Sequence, residues 1–275
     1  MQRETDGRSW PATTSYSADL YSGTAELYAA HRIPYPASLL DALIRRCRVP
    51  VSTLLDLACG TGEIAIPLSS HFPHVIAVDQ EPSMVDVGRL KAAVTGAGNM
   101  TWVNGTAEAL LLQDNAVSLI AIGNAFHRLD RAYVARKAMR WLKPGSVIAI
   151  LNTDSVWRGT EPWQLAAVNV IAKWAKPTAS TSASTPRLTH AEILAREGFQ
   201  EITEEHYTSD HTWTLDGFIG YLHSTSLVSN AALGQRGDEF DVELRKTLLA
   251  FEPSGRLPET ARFSCLSARR PCDGK

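Results

Sequence analysis

The stretch Ser52-Thr-Leu-Leu-Asp-Leu-Ala-Cys-Gly-Thr-Gly-Glu-Ile-Ala-Ile-Pro67 limits what this chain can fold into more than any other. Leu54, Leu55 and Leu57 form the apolar run of a strand covered on both faces, as in a parallel sheet under helices. Gly60 and Gly62 follow at once and give a turn in which backbone can approach a ligand closely. Ile64, Ala65 and Leu68 then supply the buried side of a helix, whose first amides carry partial positive charge. Such a corner suits a phosphate, a sugar or an amino-acid moiety.

Two readings of the corner compete. Gly60-x-Gly62-x-x-Ala65 satisfies the dinucleotide fingerprint, and Asp79 closes the next strand, Val75-Ile-Ala-Val-Asp79, at the spacing of a ribose-binding acid. Asp56 argues for another ligand. A carboxylate beside the turn repels a pyrophosphate but suits a molecule bearing an ammonium and a sulfonium group. Leu55-Asp-Leu-Ala-Cys-Gly-Thr-Gly62 resembles the first motif of class I S-adenosylmethionine (SAM) dependent methyltransferases, an acid, three residues and then Gly-x-Gly.

Composition narrows the classes further. The 275 residues suffice for one large α/β domain with a small cap. Lys and Arg number 27 against 29 Asp and Glu, with no block of one sign, which argues against a nucleic-acid partner. Cys47, Cys59, Cys265 and Cys272 show no metal-ligand spacing, and His71-x-x-His74 has no third ligand nearby, so no metal is expected. Neither a signal segment nor a membrane span is read, and a cytoplasmic location is expected.

Taken in order, residues 1 to about 15 read as a polar arm. Tyr16 to His31 reads as one or two helices broken near Ser22-Gly23-Thr24, and Ala37 to Cys47 as a further helix. Strands are expected at Thr101-Trp-Val103, Val117 to Ile122 and Val147 to Leu151, with helices at Pro82 to Val94 and Ala132 to Trp141 and a turn at Leu142-Lys-Pro-Gly145. Trp157 to Trp174 reads as one amphipathic helix before the Ser/Thr-rich loop Thr178 to Thr185. Leu188 to Glu197 is a helix ended by Gly198, Phe199 to Trp213 a strand bent near Ser209, and Ala261 to Ala268 a last strand after helices at 214–226 and 239–251.

Tyr28-Ala-Ala-His-Arg32-Ile-Pro-Tyr35-Pro36 resembles the N-terminal signature of the branch holding ubiquinone/menaquinone-type and trans-aconitate-type methyltransferases. Asn104-Gly-Thr-Ala-Glu-Ala109 and the Lys-Pro-Gly turn also match that branch, although Thr106 stands where many relatives carry Asp and Arg128 where many carry Trp. The implied fold is α/β, a doubly wound Rossmann-like sheet, mostly parallel with one antiparallel strand, with a helical N-terminal cap and a lid insertion. The implied division is an arm and cap at 1–36, a SAM-binding core at 37–151, the lid at 152–190 and completion of the sheet at 191–275.

The resemblance implies that Tyr28, Arg32, Asp56, Ala58, Gly60, Gly62, Asp79, Gln80, Met84, Thr106, Ala107, Glu108 and Asn124 hold SAM, which leaves as S-adenosylhomocysteine. His127 follows the fourth strand and is the candidate base, since a neutral imidazole accepts a proton near pH 7. Tyr21, Phe126, Trp157, Trp163, Trp174, Phe218 and Tyr221 are the candidate walls for a small, largely apolar acceptor of natural-product type, with plain core packing as their alternative reading. The pattern resembles actinobacterial tailoring methyltransferases, including teleocidin-type enzymes that methylate carbon on a prenylated indole alkaloid. A small carboxylic acid or quinone-type acceptor, a non-catalytic SAM-binding protein, a nucleotide-dependent oxidoreductase and a macromolecule methyltransferase are the rival readings. Exposed aromatic residues of the arm, Trp10, Tyr16 and Tyr21, point to a homo-oligomer closed through it.

Overall fold

The computed structural model describes residues 23–154, 156–175 and 188–272. Tyr21, the arm and the loop at 178–185 lie outside them. Seven strands form one sheet: β1 (Thr53–Leu57), β2 (His74–Asp79), β3 (Met100–Asn104), β4 (Val117–Gly123), β5 (Leu142–Thr153), β6 (Gln200–Thr214) and β7 (Arg256–Arg269). Their order is β3-β2-β1-β4-β5-β7-β6, parallel throughout except for β7, which runs antiparallel to both neighbours. The expected doubly wound sheet with one reversed strand is therefore what forms.

Helices α1 (Ala25–His31), α2 (Ala37–Arg46), α3 (Ala65–Leu68), α4 (Pro82–Thr95), α5 (Arg131–Trp141) and α7 (His190–Arg196) pack around the sheet. Helices α6 (Pro162–Trp174), α8 (Leu215–His223), α9 (Asn230–Leu233) and α10 (Gly237–Phe251) surround a third apolar cluster beside it. The side-chain alternation of the strands explains the layers. Leu55, Leu57, Ile120 and Ile122 face a core shared with α5 and α7, whereas Leu54, Ala77, Leu119 and Ala121 face one shared with α2, α3 and Tyr35.

Several boundaries differ from the sequence reading, each for a local reason. Pro162 cannot continue a helix arriving from Trp157, so a separate 3-10 turn spans Val156–Arg158 and α6 begins anew, Gln164 Oε1 accepting from Glu161 N at 3.0 Å. The irregularity in β6 sits between Gln200 and Thr203, where Glu201 takes a φ of 46°, and pairing runs straight through Ser209. The Lys-Pro-Gly turn is absorbed into the start of β5, with Gly145 at φ 80° and its carbonyl held by the buried Arg269 guanidinium at 2.6 Å.

The β6–β7 ribbon has a consequence for position. Tyr207 and Phe263 are level with Thr153, the end of β5, yet the ribbon stays paired as far as Thr214 and Arg256. Its outer part overhangs the carboxyl ends of the parallel strands, where ligands of open α/β sheets bind. Among the described residues, no helix is long and apolar enough to cross a membrane.

Candidate active site

The site grows from the ends of β1, β2 and β4. Asp56 lies in the centre of the sheet between Ala77 and Ala121, whose small side chains leave room for a carboxylate on that face. It is fully buried. Its Oδ2 accepts from Ala65 N at 3.0 Å, at the start of α3, while Oδ1 has no donor. Burial, then repulsion from Glu63 and Asp79, pushes its carboxyl well above the usual range, against the pull of the Ala65 amide.

After β1 the backbone enters the left-handed region three times, at Ala58 (φ 53°), Gly60 (φ 55°) and Gly62 (φ 88°). Asp79 ties this turn to β2: Oδ2 accepts from Gly60 N at 2.8 Å and Oδ1 from Glu81 N at 2.9 Å. The two glycines serve different ends. A Cβ at Gly60 would meet the Tyr28 ring at 3.2 Å, so this glycine admits the aromatic lid of α1. At Gly62 it would meet Trp102 at 2.8 Å and Ile66 at 2.9 Å, so here the missing side chain is also what core packing requires.

Glu63 is the acid that sequence reasoning missed. Its Oε1 is bound by Lys91 Nζ at 2.7 Å and by the Thr61 hydroxyl, while Oε2 is buried without a donor and would lie 3.3 Å from a Cβ at Gly60. The signal was its place directly after Gly62. Asp56, Glu63 and Asp79 thus ring one turn with carboxyl groups, and two of the three present an orphan oxygen. Such a turn suits a cation and repels a pyrophosphate.

The remaining predicted cofactor residues divide. Tyr28 stands over Gly60, and the Arg32 guanidinium lies between the rings of Tyr28 (4.3 Å) and Tyr221 (5.3 Å) while donating to Ser224 O at 2.9 Å. Asn124, at φ 51°, locks the end of β4 to β5 through Thr153 N at 2.8 Å and donates to the Tyr35 hydroxyl at 3.1 Å. Met84 is buried on α4, and Gln80 is exposed beyond β2. Beyond β3, Thr106 Oγ1 accepts from Ala109 N at 3.1 Å, closing its own turn. Ala107 is buried in the core beneath α5, and Glu108 accepts from Asp130 N at 3.0 Å, which ties that loop to α5.

His127 is exposed on a 3-10 turn after β4, its Nε2 accepting from Arg128 Nε at 3.3 Å. Most of the expected acceptor walls pack elsewhere. Phe126 is fully buried on the face of the sheet opposite Asp56, in edge contact with His190 at 5.1 Å. Trp163 and Phe218 pack edge to face at 5.2 Å inside the third cluster, and Trp174 packs on Phe240 there. Alternation and helical spacing assign such residues to a buried face without saying which one. Tyr221, half-buried, faces the Arg32 guanidinium and packs at 5.1 Å on Trp213, a buried residue of the third cluster that sequence reasoning passed over. Trp157 lies in its 3-10 turn.

Comparison with known proteins agrees with this geometry. Residues 54–145 match the family described as a methyltransferase domain. An uncharacterized methyltransferase of Mycobacterium tuberculosis is 32% identical over 124 residues, 45% of this chain and 48% of its own length. A 2-methoxy-6-polyprenyl-1,4-benzoquinol methylase of Caenorhabditis elegans is 30% identical over 187 residues, 61% of this chain and 66% of its own. The chain spans about half the length of the first curated relatives it matches. A solved structure of a candidate type II methyltransferase from Anaeromyxobacter dehalogenans superposes with a TM-score of 0.64 at 20% identity, covering 88% of this chain and 99% of that one, a likeness of fold.

The orphan oxygens of Asp56 and Glu63, the ribose-suited Asp79 and the left-handed turn fit SAM, whose ammonium and sulfonium groups supply the missing positive charge. Residues 54–145 are accordingly a SAM-dependent methyltransferase domain.

Proposed function

We propose that the whole chain transfers a methyl group from SAM to a small, largely apolar acceptor. The observation that carries the reading is the acid-ringed turn, with Asp56 Oδ1 and Glu63 Oε2 buried and undonated. When bound, SAM supplies an electrophilic sulfonium methyl and departs as S-adenosylhomocysteine. The chain orients and shields: Asp79 accepts from the ribose, Asp56 and Glu63 offset the positive charge, and Tyr28 with Arg32 closes the turn from water. His127, beyond β4, takes the proton released by the acceptor.

The finer proposal is a prenyl-bearing ring as acceptor, methylated on carbon. A prenylated indole alkaloid is the specific candidate; a quinol is the alternative, supported by relatives named demethylmenaquinone methyltransferase and polyprenyl-benzoquinol methylase. Tyr221 and Trp213 support an apolar ring, since aromatic walls bury apolar area at about 25 cal/mol per Å². Four free thiols suit a reducing cytoplasm. Assembly through residues 1–20 completes the proposal; a chain lacking them should change in sedimentation mass and in Michaelis constant.

Turnover of prenylated indoles, prenylated quinols and small carboxylic acids with labelled SAM tests the reading. Methylation of the acids alone would overturn the apolar acceptor, and SAM binding with no turnover of any class would leave a binding protein.

A further inference from the structure

Resting on the methyltransferase reading, we infer that Trp213 and His211 form a hydrogen-bonding anchor for a hydroxyl oxygen on the acceptor's ring. The two residues are two apart on β6, so their side chains share one face of the overhanging ribbon. Their rings meet edge to face at 4.2 Å. Trp213 is 4% exposed, and both its Nε1 and His211 Nε2 are buried without a partner.

Comparable groups nearby are satisfied. Trp163 Nε1 donates to Pro258 O at 3.0 Å and Trp174 Nε1 to Glu243 Oε2 at 2.8 Å. Both ring nitrogens of His223 are engaged, with Val228 O at 2.9 Å and Asp241 Oδ1 at 2.8 Å. Packing therefore finds partners for buried indoles and imidazoles in this region, and the orphaned pair is the exception that a ligand explains.

The pair is also connected to the cofactor turn. Trp213 packs on Tyr221 at 5.1 Å, Tyr221 faces the Arg32 guanidinium, and Arg32 covers the Tyr28 ring that stands over Gly60. Glu259, across the ribbon from His211, is occupied by Gln164 Nε2 at 2.8 Å. Burial holds the imidazole below its ordinary value of 6.5, against the pull of Glu259. An indole N–H and a neutral imidazole nitrogen together offer one donor and one acceptor. A hydroxyl complements both, because its oxygen accepts while its proton donates. Phe218, at 5.8 Å from Trp213, backs the indole from within the third cluster.

The test uses the full chain saturated with S-adenosylhomocysteine, probed with p-cresol and with p-xylene, which replaces the hydroxyl by a methyl group. Wild type should bind p-cresol at least about tenfold more tightly, because a site built around a hydroxyl rejects an analogue lacking one. The Trp213 indole N–H resonance should move downfield with p-cresol only. Trp213→Phe and His211→Phe should each bring the two affinities to within about twofold while S-adenosylhomocysteine affinity, which reports folding, is retained. Equal affinities in wild type, or discrimination that survives both variants, would overturn the anchor. Failure of wild type to bind S-adenosylhomocysteine would instead overturn the methyltransferase reading.

Discussion

Asp79 Oδ2 accepts a hydrogen bond from Gly60 N at 2.8 Å, so the acid proposed to bind the ribose also braces the turn proposed to receive the rest of the cofactor. Two motifs that are 19 residues apart are thereby one rigid unit before a ligand arrives. Asp79→Ala should weaken SAM by about 1–3 kcal/mol, and it should lower the melting temperature of the ligand-free protein as well. Titration calorimetry and thermal unfolding measure the two effects. Unchanged affinity would remove Asp79 from the site.

Asp56 yields a prediction in pH. Its folded-state carboxyl is raised, chiefly by burial, so the ligand-free folded chain holds a proton that the unfolded chain releases above about the ordinary value of 3.8. Stability from this group is therefore present at low pH and lost as pH rises through the folded value. Asp56→Asn removes that dependence. Its melting temperature, minus that of wild type, should increase between about pH 5 and about pH 8, while SAM affinity falls at least about tenfold. A flat difference would mean that folding does not raise the Asp56 carboxyl into this range.

Sequence reading succeeded where one residue type answers one physical demand. Asp56 before Gly60, and Asp79 at a strand end, have few uses beyond a polar ligand, and the apolar runs of β1 and β4 fix a sheet covered on both faces. It failed where the demand is burial, which many places satisfy. Phe126 and Trp163 are apolar and periodic wherever they pack, and only the register of β4 and the start of α6 at Pro162 decide that they face cores away from the turn. Glu63 was missed because a carboxylate just before a helix usually serves the helix dipole. Its orphan Oε2 becomes visible only with Lys91, from α4, on the other oxygen.

Gly62 separates packing from binding. Alanine there meets Trp102 at 2.8 Å in addition to adopting a φ of 88°, whereas Gly96, with φ 76°, has open space around it. Gly62→Ala should cost about 2–4 kcal/mol, from overpacking plus backbone strain, and Gly96→Ala about 1 kcal/mol, from strain alone. Chemical denaturation compares them. Equal costs would show that Trp102 yields freely to the added methyl group.

His127 is the proposed proton acceptor, and its setting states what must happen for it to act. Its Nε2 lone pair receives the Arg128 Nε hydrogen bond at 3.3 Å, and the ring is exposed on the 3-10 turn that follows β4. A base needs that lone pair free and within hydrogen-bond reach of the departing proton, so Arg128 must turn aside when the acceptor binds. His127→Ala should lower the catalytic constant at least about tenfold and leave SAM affinity intact, since no predicted cofactor contact passes through the imidazole. Arg128→Ala, which removes this bond in advance, should leave the catalytic constant within about threefold of wild type. A pH–rate profile adds a readout that a structural role would not move: the acidic limb present in wild type and in Arg128→Ala should be missing from His127→Ala. Retention of full activity and of that limb in His127→Ala would make the residue a support of the loop, and the proton would then leave by another route.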